Sequence, residues 1–195
     1  MSDFPAEEET RLPTPGKRAQ FERVVLPHLD AAYNLARWLT RNDHDAEDVM
    51  QEASVRAYRF FESFRGGNPK AWLLTIVRHT CYTWLEANRA GASMTAFDEQ
   101  LHSPACHDSP GIGGESYTAP ETLLWQVTET RRLQRYLEEL PLEYREVVIL
   151  RELEGCSYKE IGEIAGIPLG TVMSRLARGR SLLQQKFSAR VEKEP

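Results

Sequence analysis

Ser157-Tyr-Lys-Glu-Ile-Gly-Glu-Ile-Ala165, Gly166-Ile-Pro168 and Leu169-Gly-Thr-Val-Met-Ser-Arg-Leu-Ala-Arg178 together decide the fold. Ser157 and Glu160 stand at the spacing of a capping box, in which each side chain accepts from the other's backbone N–H. A short helix therefore starts at Tyr158 and presents Ile161, Ile164 and Ala165 inward. Gly166-Ile-Pro168 is a tight turn, and a last helix follows from about Leu169 to Phe187, with Val172, Leu176 and Leu183 on its inner face. Short helix, turn and longer helix have the spacing of a DNA-binding helix-turn-helix, whose second helix enters the major groove. Arg175, Arg178, Arg180, Lys186 and Arg190 occur in this segment with no acid from Leu169 to Arg190. Thr171, Ser174, Arg175 and Arg178 fall away from the inner face and, with Arg180, are the candidate contacts to base edges and phosphates. A solvated amphipathic edge helix is the competing reading. Five cations without an acid, behind a capped helix, favour nucleic acid.

Upstream, apolar residues recur at three and four, and nothing reads as strand. The spacing predicts a helix from about Phe21 to Leu39, with Val25, Leu29, Ala32, Leu35 and Leu39 inward and Pro27 kinking it or starting its main part. Asn42 and Asp43 are good N-caps for a second helix reaching about Phe61, with a core stripe of Val49, Ala53, Ala57, Phe60 and Phe64. Asn68-Pro69 starts a third helix that runs to about Asn88. Gly91 to Thr118 has little periodicity, and from Gly91 to Glu121 there are five acids and no Lys or Arg. That stretch buries little apolar surface and reads as a flexible linker. Helices resume near Pro120; Pro141 breaks one and Gly155 stops the next. The expected fold is all-α: a tail over 1–20, a helical domain over 21–90, a linker over 91–119, a helix-turn-helix domain over 120–187 and a tail over 188–195.

The chain of 195 residues carries a net charge of −5, which at first sight argues against a DNA-binding protein. The average hides alternation: residues 1–64 carry −4, 65–90 carry +3, 91–146 carry −6 and 147–195 carry +2. A DNA footprint is a local patch and needs no basic total. The acidic N-terminus lacks the basic start of a secretory signal, and no apolar run is long enough to span a bilayer, so a soluble cytoplasmic protein without membrane insertion is expected. Cys81, Cys106 and Cys156 are odd in number and widely spaced, which fits a reducing compartment. His102, Cys106 and His107 cluster without a fourth ligand nearby, so neither a metal nor a cofactor is expected.

On the second helix, Asp45, Asp48, Gln51, Glu52, Val55 and Arg59 lie opposite the core stripe. Such a face is either solvated or an interface; acids around an exposed valine suit a protein partner. The third helix follows the loop Arg65-Gly-Gly-Asn68 and mixes Lys70, Trp72, Arg78, His79, Tyr82, Trp84 and Arg89. Aromatic rings beside cations suit stacking on unpaired bases. Trp84, in register with Leu73, Ile76, Val77 and Thr80, reads as core. Trp72 fits either role.

Asp45-Ala-Glu-Asp-Val-Met-Gln-Glu52, Phe64-Arg-Gly-Gly67 and Ala71-Trp-Leu-Leu-Thr-Ile-Val-Arg78 resemble region 2 of extracytoplasmic-function (ECF, group 4) sigma factors of the sigma-70 family. Leu140-Pro-Leu-Glu-Tyr-Arg-Glu-Val-Val148, Tyr158 to Ala165 and Gly170 to Arg178 resemble region 4. The resemblance covers about Phe21 to Phe187. It implies an RNA polymerase subunit that directs promoter-specific initiation, with core polymerase, promoter DNA and an anti-sigma factor as partners. It implies that Asp45, Asp48, Gln51, Glu52 and Val55 meet the beta-prime clamp helices, and that the beta flap is a further contact on core polymerase. Arg65, Asn68, Lys70, Trp72, Arg78 and His79 are implied at the −10 element. Thr171, Ser174, Arg175, Arg178 and Arg180 are implied at −35, where Met173 stands in place of a basic residue of some relatives.

Two other classes stay in view. A free-standing helix-turn-helix regulator needs a sensor or dimerisation domain, and the first ninety residues look like neither. An enzyme needs a P-loop, nucleophile elbow or metal-ligand cluster, and none is present. With its basic patches on either side of a flexible linker, the free chain is expected to hold them at no fixed spacing.

Overall fold

The structure is a computed structural model, and it describes residues 15–94 and 130–191. The described residues form helices and turns with no strand. In the N-terminal module, α1 spans Pro15–Val25, and a 3-10 turn over Leu26–His28 leads into α2, Leu29–Thr40. Pro27 lies inside that turn, where its missing N–H is tolerated, so the helix expected from Phe21 to Leu39 is two helices joined by a tightened turn. The first helix also begins six residues earlier than expected, at Pro15. Lys17 there pairs with Glu62 at 2.9 Å, and Phe21 packs edge-on against Tyr58 and Phe61.

α3, Asp43–Phe60, starts on Asn42, whose side chain accepts from the Asp45 N–H at 3.1 Å. Val49, Ala53 and Ala57 are buried as expected, but Phe60 is 55% exposed and Phe61 takes its place in the core. The cause is local: the chain tightens into a 3-10 turn over Phe61–Ser63, which changes the angular step and swings Phe61 inward. Asn68 caps α4, accepting from the Ala71 N–H at 3.2 Å, and Pro69 occupies its first position. α4 spans Pro69–Met94 and so extends past Asn88 into the stretch read as linker. α2, α3 and α4 pack on one another around Leu35, Leu39, Ala53, Leu73, Leu74 and Val77.

In the C-terminal module, α5 (130–138) is followed by Pro141 and α6, Leu142–Val148. α6 runs on as a π-helical turn over Ile149–Leu153, and Gly155 ends it at φ 66°. α7, Tyr158–Ala165, carries the full capping box between Ser157 and Glu160. Gly166 ends α7 in the left-handed region at φ 66°, a conformation that costs glycine little. α8, Leu169–Val191, extends four residues beyond Phe187 and buries Val172 and Leu176. Gly179 faces α6 so closely that a Cβ there would lie 2.8 Å from Val148 Cγ2, so a bare backbone lets α8 approach.

The two modules are not held apart. Their buried residues form one continuous apolar cluster, and α4 packs against α7 while α2 packs against α6. This corrects the expectation of no fixed spacing. α2 and α4 meet the other module directly.

Candidate nucleic-acid interface

The helix-turn-helix has a buried side and an open side. On α8, Met173, Ser174, Ala177 and Arg178 are exposed, and Thr171 is half-buried. The five expected contacts differ in availability. Arg175 is not on the open face: it leans onto α6 and pairs with Glu143 at 3.0 Å, with 24% of its side chain exposed. Arg180 is tied to Glu152 on the π-helical turn at 2.6 and 3.0 Å, a bond that raises its pKa further. The Ser174 hydroxyl donates to the Thr171 carbonyl at 3.0 Å. Arg178 is exposed and makes no ion pair among the described residues.

The loop before α4 turns through Gly66 and Gly67 at φ 90° and 99°, which leaves Arg65 exposed at its tip. Trp72 is half-buried and belongs to a ring cluster, with its centroid 5.2 Å from Phe64 and 6.3 Å from Phe61. Of the two roles open to it, packing is the one shown. Trp84 packs partly buried against the core, as expected, and His79 is exposed.

Three further members of the −10 set meet carboxylates of the other module. Asn68 donates to Glu160; Lys70 pairs with Glu154 at 3.1 Å and donates to its carbonyl at 2.6 Å. Arg78 bonds Glu146, whose side chain is fully buried, and the Tyr82 hydroxyl donates to the other Glu146 oxygen at 3.1 Å. Two cations of the basic patch read in the sequence, Lys70 and Arg78, are therefore paired with Glu154 and Glu146, while Arg65 stays exposed.

On α3, Asp48, Gln51 and Glu52 are exposed, Asp45 is half-buried and Val55 is 57% exposed. Burial raises the Asp45 carboxyl above its ordinary value; the like charge of Asp48 adds to this, against His44. Glu52 pairs with Arg56 one turn on, at 2.6 Å. The face expected to be an interface is thus acidic, open and centred on an apolar side chain.

His102, Cys106 and His107 lie outside the described residues, and the described ones hold no cluster of three or more His, Cys, Asp or Glu able to bind a metal. Cys81 and Cys156 are buried free thiols; burial first, then nearby carboxylates, push them up to about 12 and about 11. Both should resist iodoacetamide at pH 8 in the native protein and react in denaturant, read by peptide mass spectrometry. Folding raises these thiol pKa values from 9.0, so stability present below pH 9 is lost as pH climbs through that value. Arg145, lowered to about 10 by burial and Arg41, acts in the opposite sense only above 10. The denaturation midpoint should therefore fall between pH 9 and 10, and a flat profile would contradict the burial of both thiols.

Among the described residues, which form helices and turns without a strand, a helix-turn-helix module of the DNA-binding kind is docked on a second helical module. Residues 24–91 match the family model for Sigma-70 region 2, and residues 130–183 match that for Sigma-70, region 4. The ECF RNA polymerase sigma-E factor of Haemophilus influenzae is 33% identical over 154 residues, covering 78% of this chain and 79% of the relative. The ECF RNA polymerase sigma factor SigE of Mycolicibacterium smegmatis is 34% identical over 164 residues, 84% of this chain; the match spans 60% of that relative's length. The sigma factor RpoE of Bartonella quintana, solved with the anti-sigma factor NepR, superposes with a TM-score of 0.66 at 27% identity, covering 87% of this chain and 97% of RpoE. The chain belongs to the ECF family of RNA polymerase sigma factors. Among the described residues no helix is long and apolar enough to cross a membrane.

Proposed function

We propose that this chain binds core RNA polymerase in the cytoplasm through the exposed α3 face around Asp48 and Val55, and reads promoters with two separate surfaces. α8 docks the −35 duplex; the Arg65 loop and α4 hold unpaired −10 bases, so strand separation is stabilised by binding. The chain performs no bond chemistry, and the phosphodiester step belongs to the core enzyme. The supporting observation is the open side of α8, where Arg178 is exposed and makes no ion pair among the described residues, on a helix whose other face is core. An anti-sigma partner is proposed on the likeness to RpoE, solved with NepR.

The modules must part before both surfaces meet DNA, because Asn68, Lys70 and Arg78 are engaged by region 4 carboxylates. Core polymerase reconstituted with the chain is expected to initiate at discrete sites on genomic DNA. Arg178→Ala should lower initiation on duplex promoters by an amount worth roughly 1–3 kcal/mol, the value of a good bidentate base contact. It should spare templates with a pre-melted −10 bubble. Equal loss on both templates would refute this division of labour, and operator binding by the free chain would favour a polymerase-independent regulator.

A further inference from the structure

We infer that Met173 is a specificity residue that packs on the 5-methyl group of a thymine in the −35 duplex; the inference rests on α8 being the reader helix. Met173 is 51% exposed on the open side of α8, and Leu169, one turn before it, is also 51% exposed. A lone exposed hydrophobic residue is ordinary. Here two large ones stand one turn apart at the start of the helix whose first turns meet base edges in a helix-turn-helix.

The neighbouring polar groups leave this spot apolar. Arg175 is drawn to Glu143, Arg180 to Glu152, and the Ser174 hydroxyl to the Thr171 carbonyl. Arg178 is the exposed cation left without an ion pair on this stretch of α8 among the described residues, and it lies more than a turn further along. A thioether has no donor, so it cannot read the guanine acceptors, and it accepts only weakly from the adenine or cytosine amino group. The apolar group on a major-groove base edge is the thymine methyl. Methionine's flexible, polarisable chain can follow it along the groove wall.

The test is selection of a −35 library, randomised on a fixed −10 promoter, by wild-type and Met173→Ala holoenzymes, followed by sequencing. Wild type is expected to enrich thymine at one −35 position, and the variant to lose that preference about fourfold, the worth of one methyl kept from water. Replacing that thymine by deoxyuridine, which lacks the methyl, should weaken wild type by the same factor and leave Met173→Ala unaffected, the signature of direct coupling. Identical preferences for the two proteins, or a deoxyuridine effect that persists in the variant, would overturn the inference while leaving α8 as the reader. No −35 preference at all in wild type would overturn that underlying reading. Met173 is exposed, so unchanged helicity of the variant is expected and is checked by circular dichroism.

Discussion

Asp48→Arg is expected to abolish co-purification with core polymerase, at least a hundredfold in apparent affinity, while leaving the fold intact. Asp48 is exposed on α3 and lies off the buried row of Val49, Ala53 and Ala57, so the change reaches no core contact. Reversing the charge does more than remove an attraction. It sets a cation beside any cation the partner presents, and like charges juxtaposed across an interface cost several kcal/mol. Asp45, Gln51 and Glu52 surround the site and Val55 gives it a small exposed apolar centre, the usual anatomy of a protein interface. Half-buried Glu22 on α1, already paired with Arg18 at 2.8 Å and away from this face, provides the control. Glu22→Arg should bind as wild type. Undiminished binding of Asp48→Arg would mean that polymerase meets another surface.

The readable parts of this chain were those written in short-range chemistry. The capping box Ser157–Glu160, the Gly166 turn and the inward rows Ile161–Ile164 and Val172–Leu176 are set by neighbours within one or two helical turns, and each is in place. Asn42 and Asn68 as caps are equally local. Periodicity failed where the helix itself changes pitch, as at Phe60 and Phe61, because a 3-10 turn shifts the angular count. It also misplaced Arg175. A long side chain at the flank of a helix goes where a partner stands, and Glu143 is on α6. The ties from α4 to region 4 were beyond reach for a plainer reason. Their partners are separated by 68, 84 and 92 residues, and nothing in a helical repeat says that Arg78 faces Glu146, Lys70 Glu154 or Asn68 Glu160. Alternating charge along the chain pointed to one of them at most: Glu146 is the last residue of the acidic block 91–146, whereas Glu154 and Glu160 lie in the net-basic 147–195.

Glu146→Ala is the second change expected to have a large effect, and it acts on the arrangement of the modules more than on either one. The Glu146 carboxylate is fully buried and takes bonds from both Arg78 and Tyr82, while the Arg78 guanidinium lies 4.4 Å from the Tyr82 ring centre. Burial and the Glu146 charge push the Tyr82 hydroxyl up to about 12, so it stays a donor at all ordinary pH. Removing one partner of a buried ion pair costs about 3–5 kcal/mol, because the other charge is left desolvated. Arg78 keeps 15% exposure, so the low end applies, about 3 kcal/mol. The chain can relieve most of that cost without unfolding, since parting the modules returns Arg78 to water. A change of about 3 kcal/mol moves the closed-to-open ratio by about a hundredfold. Small-angle scattering should then show a larger radius of gyration at unchanged helicity. The free protein should bind a single-stranded −10 oligonucleotide more tightly, because apparent affinity scales with the fraction in the open state and Asn68, Lys70 and Arg78 are released together. Glu146→Gln, which keeps the volume and part of the hydrogen bonding, should fall between wild type and the alanine variant. A Glu146→Ala protein as compact as wild type, with unaltered oligonucleotide affinity, would show that these carboxylates do not hold the −10 surface closed.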